Sequence, residues 1–153
     1  MKILTINLWR YYEWKERKDL LIKFLKKQDA DIAFLQEAAF DERKKWENQV
    51  QEINTELGYE SFSYGKLTEM ERWHKKPIDW KMHYGMGMLS KYPIIHTEVV
   101  ILPHVEKEDK KGFYHVVIKT PEGEVDLINV HFENTDKGSK KHLKGMLEWC
   151  KKR

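Results

Sequence analysis

The sequence has a single cysteine, Cys150. One thiol cannot build a disulfide framework, so a fold must rest on a packed core. Proline and glycine are sparse, at four and eight residues, which excludes a collagen-like or low-complexity chain. No run approaches the roughly 20 apolar residues of a membrane span. The first apolar stretch, Ile3 to Trp9, is broken by Thr5 and Asn7, too short and too polar for a signal-peptide core. These absences give the expectation of a soluble, reduced compartment, the cytoplasm. A basic stripe through the body of the chain is also missing. Seven bases crowd between Lys137 and Arg153 against one acid, Glu148, and the residues before them are net acidic. That distribution weakens a nucleic-acid reading of the overall positive charge.

What is present is a core. Six Trp, seven Tyr and six Phe join the aliphatics, which argues against disorder. The 153 residues suit one domain better than two. Lys2 to Leu8 alternates as a strand, and Arg17 to Lys27 carries Leu20, Leu21, Phe24 and Leu25 on one helical face. The continuous apolar run after Ala30 suits a strand buried on both faces. Strand, helix, strand opens an α/β arrangement. Trp46, Val50, Ile53 and Leu57 predict a helix over 42–57, stopped by Gly58. Tyr59 to Tyr64 reads as a short strand, and 66–83 as a long surface excursion. Strands follow over 84–90, 94–102, 113–119 and 124–129. Lys91-Tyr92-Pro93 is a turn, Pro103 to Lys111 a charged loop, and Pro121 with Gly123 a hairpin signal. An amphipathic helix over 140–151 closes the chain.

Three polar groups stand at the ends of apolar strands. Asn7 ends the first strand, Gln36-Glu37 follows the buried run, and His131 follows Leu127 to Val130, within which Asn129 is embedded. Ligands collect at strand ends, where side chains face a cleft on rigid backbone. A carboxylate there is costly unless paired or bound to a cation. A histidine beside it can hold a phosphate. Together they point to a hard-cation, phosphate-ester site. Each residue alone has a plainer reading: Asn7 as a turn or cap residue, Glu37 as solvated, His131 as a structural histidine. The excursion holds Trp73, His74, Lys75 and Trp80, which could stack a base or grip a phosphate, or pack the loop onto the sheet. His74 and His83 stand nine residues apart with no cysteine near, which gives zinc little support there. Gly85-Met86-Gly87 lacks the third glycine and the helix of a dinucleotide fingerprint.

Four segments together resemble the endonuclease/exonuclease/phosphatase superfamily. They are Lys2 to Trp9 with its Asn7, Asp31-Ile32-Ala33-Phe34-Leu35-Gln36-Glu37, Gly85 to Ile94 with Leu89-Ser90-Lys91-Tyr92-Pro93, and Asp126 to His131. The resemblance implies that Glu37 ligates a divalent metal, Mg²⁺ or else Mn²⁺. It places Asn7 beside that metal as a catalytic residue and His131 on the scissile phosphate. Gln36 and Asn129 become supporting residues, and Ser90 to Pro93 shape a turn. The substrate would be a phosphate ester: nucleic acid, lipid headgroup or sugar phosphate.

The departures are equally specific. The family's later Gly-Asp-x-Asn strand end and Asp-His pair have no counterpart, since neither Gly-Asp nor Asp-His occurs in the sequence. An acid that some relatives carry two residues after the first Asn is replaced by Trp9. An Arg that often precedes the strand pair before the family His is missing, and Phe113-Tyr114-His115 stands there instead. The expectation is an α/β chain over 1–153 forming the N-terminal half of a four-layer sandwich, a mixed sheet flanked by helices. It would be truncated and weakly active or inactive, with an exposed sheet face prone to self-association. The alternative is a non-enzymatic module binding nucleic acid or another anion through 66–83 and the basic C-terminal helix.

Overall fold

The apolar run after Ala30 sits at the centre of the fold because each of its faces meets a different layer. A computed structural model describes residues 1–103 and 110–153, so most of the loop expected over 103–111 lies outside the described residues. Strand β2 (Ile32–Asp41) pairs in parallel with β1 (Ile3–Asn7) and antiparallel with β6 (Met82–Ser90). Strand β3 (Ser61–Glu69) completes that sheet, in the order β1-β2-β6-β3. Ala33 and Leu35 face helices α1 (Trp14–Gln28) and α2 (Gln49–Leu57), packing with Leu25, Val50 and Ile53. Ile32 and Phe34 face the other way, against Tyr114, Val116 and Ile118 of a second sheet. That period-two division is why the run carries no polar residue.

The second sheet is an antiparallel meander of β7 (Ile94–Leu102), β8 (Lys111–Thr120) and β9 (Gly123–His131). Helix α3 (Asp136–Cys150) covers its outer face, with Trp149 edge-on to Phe113 at 5.1 Å. The layers therefore run helices, sheet, sheet, helix, the mixed α/β sandwich expected from the sequence. No described helix is long and apolar enough to cross a membrane.

Two expectations shift. Helix α2 starts at Gln49 rather than at residue 42, because the Asn48 side chain accepts from the Gln51 N–H at 3.0 Å and caps it. Asn48-x-x-Gln51 is a cap signal that the apolar spacing of Trp46 obscured. Gly58 ends the helix in the left-handed conformation (φ 70°), as expected. The 66–83 segment is mostly strand. β3 and β6 extend into it, and β4 (Arg72–Trp73) and β5 (Lys76–Pro77) form a small hairpin at its tip.

At Gly85 this strand tolerates no side chain. A Cβ there would land on the Gly65 carbonyl oxygen of the neighbouring strand. The Lys91 turn is architectural: Ser90 Oγ accepts from the Tyr92 N–H at 2.9 Å, and the Lys91 N–H reaches the Asp31 carbonyl at 2.9 Å.

Candidate functional site

Strands β1 and β9 end their sheets on the same side of the sandwich, leaving a groove of about 540 Å³ between them. Asn7, Gln36, Asn129 and His131 all line it. Ile3, Thr5 and Asn7 share one face of β1, and Gln36 follows Ile32 and Phe34 on the inner face of β2. Gln36 Nε2 donates to Thr5 Oγ1 at 2.7 Å and to Asn129 Oδ1 at 2.6 Å. This amide ties the two sheets together at the floor of the groove.

Glu37 is placed by a break in the ladder. The pairing of β2 with β6 slips between Gln36 and Ala38, so Glu37 is an extra residue in a bulge. Its backbone is left-handed at φ 50°, an uncommon state for a residue with a side chain. The Arg10 N–H holds the Glu37 carbonyl at 3.0 Å. Trp9 and Arg10 are left-handed too, at φ 52° and 55°. Such residues cost on the order of 1–3 kcal/mol each and persist only where the surroundings over-determine them. Here the surroundings are Arg17, which donates to the carbonyls of Leu8 (2.9 Å) and Tyr12 (2.8 Å from Nε), and the buried Gln49. Gln49 spans the Ala39 N–H and the Arg10 carbonyl, each at 2.9 Å.

The result is a half-enclosed carboxylate. Glu37 Oε1 lies 3.4 Å from Asn7 Nδ2 and 3.6 Å from His131 Nε2. Glu37 Oε2 is buried without a hydrogen-bond partner. Arg10 Nε stands 3.3 Å from it but lacks the alignment of a hydrogen bond. The oxygen thus faces one cation, Arg10, at ion-pair distance, and as a hard carboxylate donor it also fits a hard metal ion in that position. Asn7 Oδ1 meanwhile accepts from the Trp9 N–H at 2.8 Å, which fixes its amide toward Glu37.

His131 meets a cation. Lys111 Nζ lies 2.9 Å from His131 Nε2 and 3.5 Å from the Tyr84 hydroxyl. An ammonium can only donate, so Lys111 is the donor of this contact. Arg10 lies over the Tyr84 ring at 5.1 Å. Arg10, Tyr84 and Lys111 thus complete a site that the sequence reading reached only in part. Lys111 was expected in a loop, yet it opens β8 one residue before Gly112, which pairs with His131. The base beside His131 is thus Lys111, two residues before Phe113-Tyr114-His115. That strand segment does not fill the place of the missing arginine, since Tyr114 points into the core between the sheets.

The excursion residues divide. Trp73, His74 and Lys75 join Trp9, Arg10 and Tyr12 around a cleft of about 280 Å³ beside the site. Trp9 and Tyr12 lie 4.2 Å apart, and His74 lies 5.4 Å from Tyr12. Arg10 is shared with a further cleft of about 490 Å³ that also holds Tyr84. Trp80 is apart from this cluster. It packs against the helix-side core under the Arg43 guanidinium, 3.5 Å above its ring.

Fold and site together define a two-sheet α/β protein that gathers a carboxylate from a strand bulge with an amide and an imidazole from strand ends. The sequence model of the Endonuclease/Exonuclease/phosphatase family matches residues 4–126, and the chain belongs to that family. No significant match is found among curated proteins. Among solved structures it is similar to an endonuclease/exonuclease/phosphatase from Beutenbergia cavernae DSM 12333 (TM-score 0.72, 18% identity, 84% of this chain and 37% of that one). A family protein from Leptotrichia buccalis C-1013-b gives a TM-score of 0.71 at 15% identity, over 97% of this chain and 62% of that one. A β-hairpin deletion mutant of beta toxin from Staphylococcus aureus gives 0.68 at 17%, over 99% and 61%. The chain spans between 37% and 62% of the length of these structures.

Proposed function

We propose that the groove is the metal- and phosphate-binding half of a phosphoesterase site. The observation that carries this reading is the Glu37 carboxylate, set in a bulge within β2, with Oε1 facing Asn7 and His131 and Oε2 making no hydrogen bond beside Arg10. Glu37 would hold a divalent cation, Mg²⁺ or Mn²⁺, and Asn7 beside it would orient that carboxylate through its amide Nδ2. Bound there, such an ion polarises a phosphoryl oxygen and generates a nucleophilic water. His131 and Lys111 would grip the phosphate oxygens by charge and hydrogen bonding. Gln36 and Asn129 would keep the two sheets, and so the two groups, in register.

The aromatic and basic cleft of Trp9, Tyr12, Trp73, His74 and Lys75 lies on the substrate side in this reading. Its rings would stack a planar or sugar-like portion of a phosphate ester. The chain has neither Gly-Asp-x-Asn nor Asp-His, so we infer weak or no turnover by these 153 residues alone.

The test is paramagnetic. Mn²⁺ is titrated into the chain while amide and imidazole resonances are followed by NMR. Broadening centred on Asn7, Glu37 and His131 is expected, and its loss in Glu37→Gln. Broadening elsewhere, or unchanged by that substitution, would sink the reading.

A further inference from the structure

A second cluster lies on the opposite face of the meander. The β7–β8 pairing slips between Ile94 and His96. Ile94 packs inward against the core between the sheets. Without the bulge, His96 would follow it inward by the two-residue period. With it, His96 turns outward onto the same face as Glu98. Glu98 is the ladder partner of His115 on β8. One ligand atom from each of His96, Glu98 and His115 lies within 4.8 Å of the other two.

His115 is the best-defined member. It is 3% exposed, and its Nδ1 is buried without a hydrogen-bond partner. Its Nε2 lies 2.6 Å from Asp126 Oδ1 on β9. A carboxylate on one imidazole nitrogen fixes the ring and leaves the other nitrogen as the metal-facing one. Trp149 of α3 covers the ring at 5.0 Å. Arg153 stacks on Trp149 at 4.1 Å and pairs with Glu98. Glu98 thus already has a cation beside it, which binding would displace.

We propose that His96, Glu98 and His115 form a zinc site on the outer face of the meander, with Asp126 positioning His115. Two imidazoles and one carboxylate are a borderline donor set, which suits Zn²⁺ and disfavours Mg²⁺. Zinc bonds of about 2.0–2.2 Å need ligand atoms somewhat closer than the present spread, a gap that rotation of the exposed His96 closes. The ion would clamp β7 to β8 on the face turned away from Glu37. The inference is independent of the phosphoesterase reading.

The experiment is calorimetric titration of Zn²⁺ alone into the chain, in a Cys150→Ser background that removes the one thiol. One zinc per chain is expected, with the His96 and His115 ring resonances shifting together. His96→Ala alters an exposed residue and spares the core, and it is expected to weaken binding at least tenfold. Glu98→Gln is expected to do the same, while Glu37→Gln leaves zinc binding unchanged and excess Mg²⁺ does not compete. Absence of zinc binding, wild-type affinity in His96→Ala, or loss in Glu37→Gln would overturn the proposal.

Discussion

Gln36 on one sheet and Asn129 on the other meet through a 2.6 Å hydrogen bond, although 93 residues separate them in sequence. Asn129 is 3% exposed, and its Nδ2 has no partner. Gln36→Leu would strand a buried amide and is expected to cost about 1–3 kcal/mol. Gln36→Leu with Asn129→Leu should recover part of that loss, since both partners are then removed. Urea denaturation of the two single variants and the double variant reads the coupling. Strictly additive losses would mean that the bond does not join the sheets energetically.

Gln49 carries the backbone of the site from behind. It is fully buried and holds both the Ala39 N–H after the bulge and the Arg10 carbonyl. Gln49→Leu keeps much of the volume and leaves both groups unpaired, at about 1–3 kcal/mol for each. Stability is expected to fall, and amide exchange at Arg10 and Ala39 to rise above that of the α1 core. A change in global stability with no local increase in exchange would contradict this placement.

Gly85→Ala drives a methyl into the Gly65 carbonyl, which is backbone and cannot rotate aside. Overpacking of this kind costs about 1–3 kcal/mol and sometimes more. The β3–β6 pairing must open, so a lowered melting temperature and exchange-labile amides at Gly65 and Lys66 are expected. An alanine variant as stable as wild type would show that the strands separate freely.

His83 makes stability depend on acid. Its ring accepts from the Tyr64 hydroxyl at 2.8 Å and stacks on Phe40 at 4.5 Å. Burial lowers its pKa from 6.5 to about 4, against the opposing pull of Glu69. Burial also pushes the Tyr64 hydroxyl up, so it keeps its proton and remains a donor. The unfolded ring binds a proton near 6.5, whereas the folded ring resists until about 4. The stabilising contribution is therefore whole above pH 6.5 and fades as pH falls toward 4. Denaturant midpoints measured across that window should decline more steeply in wild type than in His83→Asn. Equal slopes would remove His83 as the cause.

Long periodic segments were the legible part of this chain. β1, β2 and the meander follow from alternation and from the apolar run, because burial on one or both faces sets the residue type directly. Asn7, Gln36, Glu37, Asn129 and His131 stood out as polar residues ending or interrupting apolar strands. The structure gathers four of them along one groove, with Glu37 beside Asn7 and His131. Arg10 and Lys111 were harder to see. Each is an ordinary surface base in sequence, and it becomes part of the site through a left-handed turn or a register that no local pattern encodes. The outward turn of His96 was hidden for the same reason, since a bulge shifts periodicity by one residue without changing composition. Trp46 misled the helix boundary, because an apolar residue at helical spacing outweighed the cap at Asn48.

The two sheets differ in how far apart their paired residues lie along the chain. In the meander, Thr120 pairs with Gly123 and neighbouring strands close on one another directly. In the other sheet, β2 must find β6, matching Ile32 with Ser90 and Asp41 with Met82. Local closure loses less loop entropy and is the faster event. The strand bearing His131 belongs to the locally closed sheet, and the bulge bearing Glu37 depends on the pairing of strands distant in sequence. Carboxylate and imidazole thus come from sheets of different contact range, and the Gln36–Asn129 bond is where the two meet.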